Sequence, residues 1–170
     1  DTITTRVVSR VFEGVAADAK GPMQTPTPEG YQYFFVILCL YSFVNWVKLV
    51  KSQSEWPEIW KAFVAYAEAH TGRPKCIAYI ITDGHKVHTQ ASMRDFNAAN
   101  GTQTVTAAPY SQWQDPAERY VGTITNAGRA NLIHGGGEEH MWGDAVVHAG
   151  KAANTLLPPR PVAGHEGKSR

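Results

Sequence analysis

The sequence predicts one α/β domain, a mixed sheet with helices packed on its faces. Three observations carry that expectation. The chain has 170 residues, 43% of them hydrophobic and 18% charged, which is enough for one sizeable core and too little for two ordinary domains. Strand-like apolar runs fill its first third, and helical and strand patterns alternate after them. Gly and Pro punctuate the joins. The same composition excludes general disorder. A formal net charge of +1 excludes neither nucleic acid nor protein as a partner, because binding depends on where the charges sit.

Residues 1–10 are polar with scattered valines and read as an N-terminal arm, residues 11–157 as the folded core, and 158–170 as an extended Pro- and Gly-rich tail. The chain opens at Asp1 without a Met or an apolar leader and reads as a piece of something longer. Val11–Ala17 is a first short strand with Asp18 just past it, and Gly21-Pro22 breaks the run. TPTPEG, residues 25–30, is a turn. Strands follow over about 31–42 and 44–51, joined tightly. Their uninterrupted apolar part, Tyr33–Tyr41, falls far short of the ~20 residues a spanning helix needs, so no membrane span is expected.

Ser54 is placed to cap a helix in which Trp56, Ile59, Trp60, Phe63, Ala67 and His70 recur at helical spacing, with Gly72 ending it. Trp56, Trp60 and Phe63 read as core packing, not as a base-stacking surface. Pro74–Thr82 is a strand that delivers Asp83 at its end. A short helix over 88–100 and a strand over Thr102–Ala108 come next. A helix opens at Asp115-Pro116 and runs to about Ile133, and after the Gly135–Gly137 loop a last helix spans Glu138–Leu156. Cys39 and Cys76 sit in apolar runs and read as buried thiols.

Three acids stand where catalytic acids are expected: Asp18 and Asp83 after buried strands, and Glu118 in the first turn of a helix. Converging carboxylates repel unless a cation lies between them, and an all-oxygen set suits Mg²⁺ or Mn²⁺. Spacing alone does not decide this in a chain with 15 acids, where acids after strands are commonly solvated loop residues.

The order of motifs is more specific. AADAKGPM holds an acid before a Gly-Pro turn. EGYQYFFVILCLYSFVNWVKLVKSQSE is a glycine turn, an aromatic strand pair and a lysine-ended strand. AYAEAHTGRPK closes a helix on Thr-Gly. YIITDGH carries the second acid, and TAAPYSQWQDPAERYVGTI an Ala-Pro-Tyr signal and a Glu-Arg pair. Ala127-Gly128-Arg129, MWGDAVVHA and AANTLLP follow in turn. In this order, over roughly residues 10–159, the chain resembles the catalytic core of retrotransposon integrases of the Ty1/copia type, within the retroviral integrase superfamily.

The resemblance implies an RNase H-like fold, a five-stranded mixed sheet flanked by helices. It implies Asp18, Asp83 and Glu118 as catalytic and metal-ligating acids around two Mg²⁺ or Mn²⁺ ions, with Glu118 35 positions after Asp83. The implied activity is 3′-end processing of retroelement cDNA and its strand transfer into target DNA, carried out in the nucleus by a homo-oligomer. The family's Asn-Gly positions become Gly84-His85 and Asp115-Pro116 here, and no triad acid is lost by this.

Lys86, Arg119, Asn126 and Arg129 are the candidate DNA contacts, since Lys86 and Arg119 flank the acids and the helix from Pro116 carries the others. Arg119 could equally pair with an acid of the fold. His85, His88, His134 and His140 read as ordinary surface histidines, and the family's zinc module of two His and two Cys lies outside this chain. A second reading, of another class, is a captured or decayed integrase fold serving as a non-catalytic subunit of a larger complex.

Overall fold

A computed structural model describes residues 8–83, 91–106 and 116–156. Five strands form one sheet: β1 (Gly14–Lys20), β2 (Tyr33–Cys39), β3 (Asn45–Val50), β4 (Tyr79–Thr82) and β5 (Gln103–Thr106), in the spatial order β3-β2-β1-β4-β5. The first three pair antiparallel, while β4 runs parallel to both β1 and β5. The sheet is therefore mixed, as expected. Helix α1 (Trp56–Thr71) follows β3, α2 (Ala91–Ala99) joins β4 to β5, and α3 (Pro116–Gly135) and α4 (Trp142–Leu156) close the described chain.

Side chains alternate across the sheet, so each strand feeds two cores. Val15 and Ala17 of β1, with Phe35, Ile37 and Cys39 of β2, pack against Trp56, Trp60, Phe63 and Ala67 of α1. On the opposite face Phe34 and Val36 meet Val121 and Ile124 of α3 and Trp142, Val146 and Ala149 of α4. The expected Trp56, Trp60 and Phe63 stripe is buried, as are both free cysteines. No helix among the described residues is long and apolar enough to cross a membrane.

Several boundaries differ from the expected ones. The first strand starts at Gly14, not Val11, because Phe12 takes a left-handed φ of 61° and Glu13 N–H closes a turn on the Arg10 carbonyl at 3.2 Å. Pairing with β2 then carries β1 through to Lys20 opposite Phe34, so Asp18 lies inside the strand. β4 is shorter than Pro74–Thr82, because Lys75 (φ 54°) turns the chain before β1 can pair at Tyr79. Ser54 does not cap α1, whose N-cap is Glu55 without a side-chain bond; Ser52 caps the turn before it. Its hydroxyl accepts from Ser54 N–H while the Glu55 carboxylate reaches back to Ser52 N–H, a capping box on the tight turn Gln53–Glu55 that leads into α1. Gly72, at φ +64°, ends α1 as expected.

Helix α4 lies unusually close to β3. A Cβ at Gly150 would stand 2.6 Å from Val47 Cγ2, so only glycine lets the two backbones approach this far. Trp142, at the head of α4, donates its indole N–H to the Thr25 carbonyl at 2.8 Å and so ties α4 to the β1–β2 connection.

Candidate active site

β1 and β4 run parallel with Ala16 opposite Ile81. Two positions further along each stand Asp18 and Asp83, so the register, continued past its last pair, sets their backbones at the same height, Asp83 just past the end of β4. Alternation assigns Asp18 to the face of β1 that carries Ala16. Ala16 packs with Tyr79, Ile81 and Ala117, the second residue of α3, and Glu118 follows Ala117 in that first turn. The packing of a small residue against two strands thus sets the turn bearing the third acid over the face from which the other two come.

Asp18 is half-buried opposite Val36, and its Oδ1 accepts from Ala19 N–H at 2.7 Å. Asp83 and Glu118 are exposed. Among the described residues, no three His, Cys, Asp or Glu side chains lie close enough together to hold a metal ion. The fold brings the backbones of the three acids to one end of the sheet, and their side chains are not gathered into a ligand cage.

The position of α3 is fixed by a buried polar clamp that the sequence did not reveal. Asn45, at the start of β3, shares the two N–H groups of Nδ2 among the Tyr120 hydroxyl (2.9 Å), the Gly150 carbonyl (3.0 Å) and Asn154 Oδ1 (2.7 Å). Asn154 in turn accepts from Asn45 N–H and donates to the Asn45 carbonyl, both at 2.8 Å. One side chain therefore links β3 to α3 two residues beyond Glu118 and to the last turns of α4. Burial pushes the Tyr120 hydroxyl's pKa up, and the Asn45 hydrogen bond partly opposes it. Asn45→Ala removes every bond that the Asn45 side chain makes in this clamp and strands buried acceptors. It is expected to cost about 2–4 kcal/mol in urea unfolding, against a few tenths for a surface Asn such as Asn126.

Of the candidate DNA contacts, Arg119, Asn126 and Arg129 all lie on the solvent side of α3, away from buried Ala117, Val121, Ile124 and Gly128. Arg129 also borders a cavity of about 200 Å³ between the β1–β2 connection, α3 and α4, with Gln24, Thr125 and Glu139 on its rim. Lys86, His85 and His88 lie outside the described residues, as do the Ala-Pro-Tyr loop and the tail. His134 is exposed, and His140 faces Glu138 at 3.3 Å, both at the surface as expected.

No protein-family model matches the chain. It is 26% identical over 142 residues to the retrovirus-related Pol polyprotein from transposon TNT 1-94 of Nicotiana tabacum, an alignment covering 82% of this chain and 10% of the polyprotein. Among solved structures, the HTLV-2 integrase catalytic core domain in complex with magnesium, in its trimeric form, superimposes with a TM-score of 0.61 at 18% identity. That match covers 88% of this chain and 90% of that one. The chain has the integrase catalytic-core fold. A chain of the simian T-cell lymphotropic virus intasome in complex with PP2A regulatory subunit B56 gamma matches with a TM-score of 0.66 at 17% identity, over 97% of this chain and 63% of the other.

The integrase-core resemblance read from the motifs is thus matched in sequence by a retroelement polyprotein and in structure by retroviral cores, and the RNase H-like sheet is the observed one. The chain spans about a tenth of the curated polyprotein it matches.

Proposed function

We propose that this integrase core catalyses metal-dependent phosphodiester chemistry on DNA, namely 3′-end processing of retroelement cDNA and its transfer into a target strand. One observation carries the reading: the register that continues Ala16–Ile81 into Asp18 and Asp83, with the Glu118 turn packed over the same strands through Ala117.

By donor type and backbone placement the three acids fit hard divalent cations, two in the reading that the resemblance implies. Mg²⁺ or Mn²⁺ held by Asp18, Asp83 and Glu118 would supply Lewis-acid activation of the attacking oxygen and charge neutralisation at the leaving one. The protein's own part is to hold the carboxylates on rigid strand ends and a helix start, and to grip the substrate backbone. Arg119, Asn126 and Arg129 line the open side of α3 and position phosphates there, with Lys86 assigned to the same grip. Self-association completes the proposal.

Calorimetric titration with Mn²⁺ tests the site directly. Saturable binding in the millimolar range or tighter is expected for the wild-type chain, weakened at least about 10-fold by Glu118→Gln. A folded chain that binds no divalent ion would overturn the enzyme reading and leave the fold as a non-catalytic subunit.

A further inference from the structure

We propose that a basic pocket at the end of the sheet opposite the acids binds a phosphate group. The pocket has a volume of about 390 Å³ and lies between the chain entering β1 and the α1–β4 connection, lined by Arg10, Glu13, Arg73, Pro74, Lys75, Cys76 and Ala78. Glu13 and Ala78 precede β1 and β4 directly. Five residues at about 3.3 Å each put this end roughly 16 Å along β1 from Asp18.

Three of the lining side chains are cations and one is an acid, and that acid is already engaged. Glu13 Oε2 accepts from Ser9 N–H (2.7 Å), Ser9 Oγ (2.9 Å) and Arg10 N–H (3.1 Å), so that oxygen is turned to the chain's own turn, and the one negative charge leaves the three cations in excess by two. The Ser9 N–H bond above all holds the Glu13 carboxyl below its usual range. One guanidinium and the Lys75 backbone are held in place. Arg73 Nη2 donates to the Val11 carbonyl at 2.8 Å, which fixes the guanidinium while its other N–H groups are available in number for a ligand. Lys75 takes a left-handed backbone (φ 54°), rare for a residue with a long side chain, and Glu68 Oε1 pins its N–H at 2.6 Å. A turn held against its own preference, presenting a lysine beside two arginines, is pre-organised for an anion with several oxygens. A phosphate matches that donor set better than a lone carboxylate does, because Arg forks and a Lys can each take a separate oxygen.

The phosphate could come from a nucleic-acid strand, in which case this site is a second backbone grip remote from the acids and rests on the DNA reading above, or from a free polyphosphate. Titration of the ¹⁵N-labelled chain with pyrophosphate, followed by a ~20-bp duplex, separates the two sources. Saturable shifts of the Arg73, Lys75, Cys76 and Ala78 amides with pyrophosphate are expected, weakened at least 10-fold in Arg10→Gln/Lys75→Gln. These positions are chosen because Arg73 also supports Val11. Asp18→Asn should leave pyrophosphate binding unchanged.

If a strand supplies the phosphate, duplex displaces pyrophosphate, and the double variant makes the slope of log affinity against log salt shallower by about 1.8, two contacts at ~0.9 each. If pyrophosphate binds here and duplex never displaces it, the site belongs to a free polyphosphate. A chain that binds pyrophosphate and no DNA at all would defeat the integration reading and leave this site standing. No shift of these amides at 10 mM pyrophosphate, with duplex binding unaltered by the double variant, would overturn the proposal.

Discussion

Asp18→Asn is expected to reduce Mg²⁺-dependent strand transfer to background, a loss of roughly 100-fold or more, while the chain stays folded. The magnitude follows from role. Removing a group that only supports a metal ligand typically lowers affinity or activity 10- to 100-fold, and loss of a ligand itself exceeds that range. The fold should survive because the change is isosteric. The amide oxygen of the replacement side chain can still accept from Ala19 N–H, the bond that Asp18 Oδ1 makes at 2.7 Å, and the position is only half-buried opposite Val36. The thermal midpoint should therefore hold. An oligonucleotide mimicking a cDNA end and a labelled target duplex provide the assay, with circular dichroism on the same preparations. Unchanged joining, or joining lost together with the helical signal, would remove Asp18 from the catalytic set.

The expectation for Asp18 was legible in the sequence, and its setting was not. Motif order singled out the acid as a candidate, but a run of hydrophobic letters cannot show where pairing starts. Phe12 and Glu13 look like strand residues and instead form the turn that delays β1 to Gly14, while pairing with β2 as far as Lys20 places Asp18 within the strand. Helical periodicity, by contrast, is a local signal, and it located Trp56, Trp60, Phe63 and Gly72 correctly. Asn45 shows the opposite case. Between Ser42 and Lys48 it reads as a polar interruption of an apolar run, yet it is buried and holds partners 75 and 109 positions away. Such a role exists only once α3 and α4 have docked. The same holds for Arg10, Arg73 and Lys75, which are unremarkable in the chain and meet only because β1 and β4 start side by side.

The apolar side of the sheet supplies the largest expected stability effect, Trp60→Ala. Trp60 is fully buried, stacked between Trp56 at 5.9 Å and Phe63 at 5.8 Å, with interplanar angles of 19° and 22°. Truncation removes that ring's contacts and leaves a cavity, which typically costs about 3–5 kcal/mol. It also removes the indole N–H bond to Asn97 Oδ1 at 2.7 Å. Asn97 is buried on α2 and donates onward to Thr104 Oγ1 of β5 at 3.0 Å, so the loss reaches the strand that pairs with β4 and thereby the segment carrying Asp83. Trp60→Phe separates the two contributions: it keeps the stack and deletes only the hydrogen bond and part of the ring, for an expected cost of about 1–3 kcal/mol. Urea unfolding measures both, and hydrogen exchange of the α2 and β5 amides should rise in each variant, because each leaves Asn97 without its indole donor. A Trp60→Ala cost under about 1 kcal/mol, or α2 exchange unmoved in Trp60→Phe, would show that α1 does not anchor the parallel edge of the sheet. In a domain whose total stability is about 5–15 kcal/mol, the expected cost is enough to blunt activity at 37 °C with all three acids intact. Activity losses in core variants therefore need the folded fraction measured before any catalytic role is assigned.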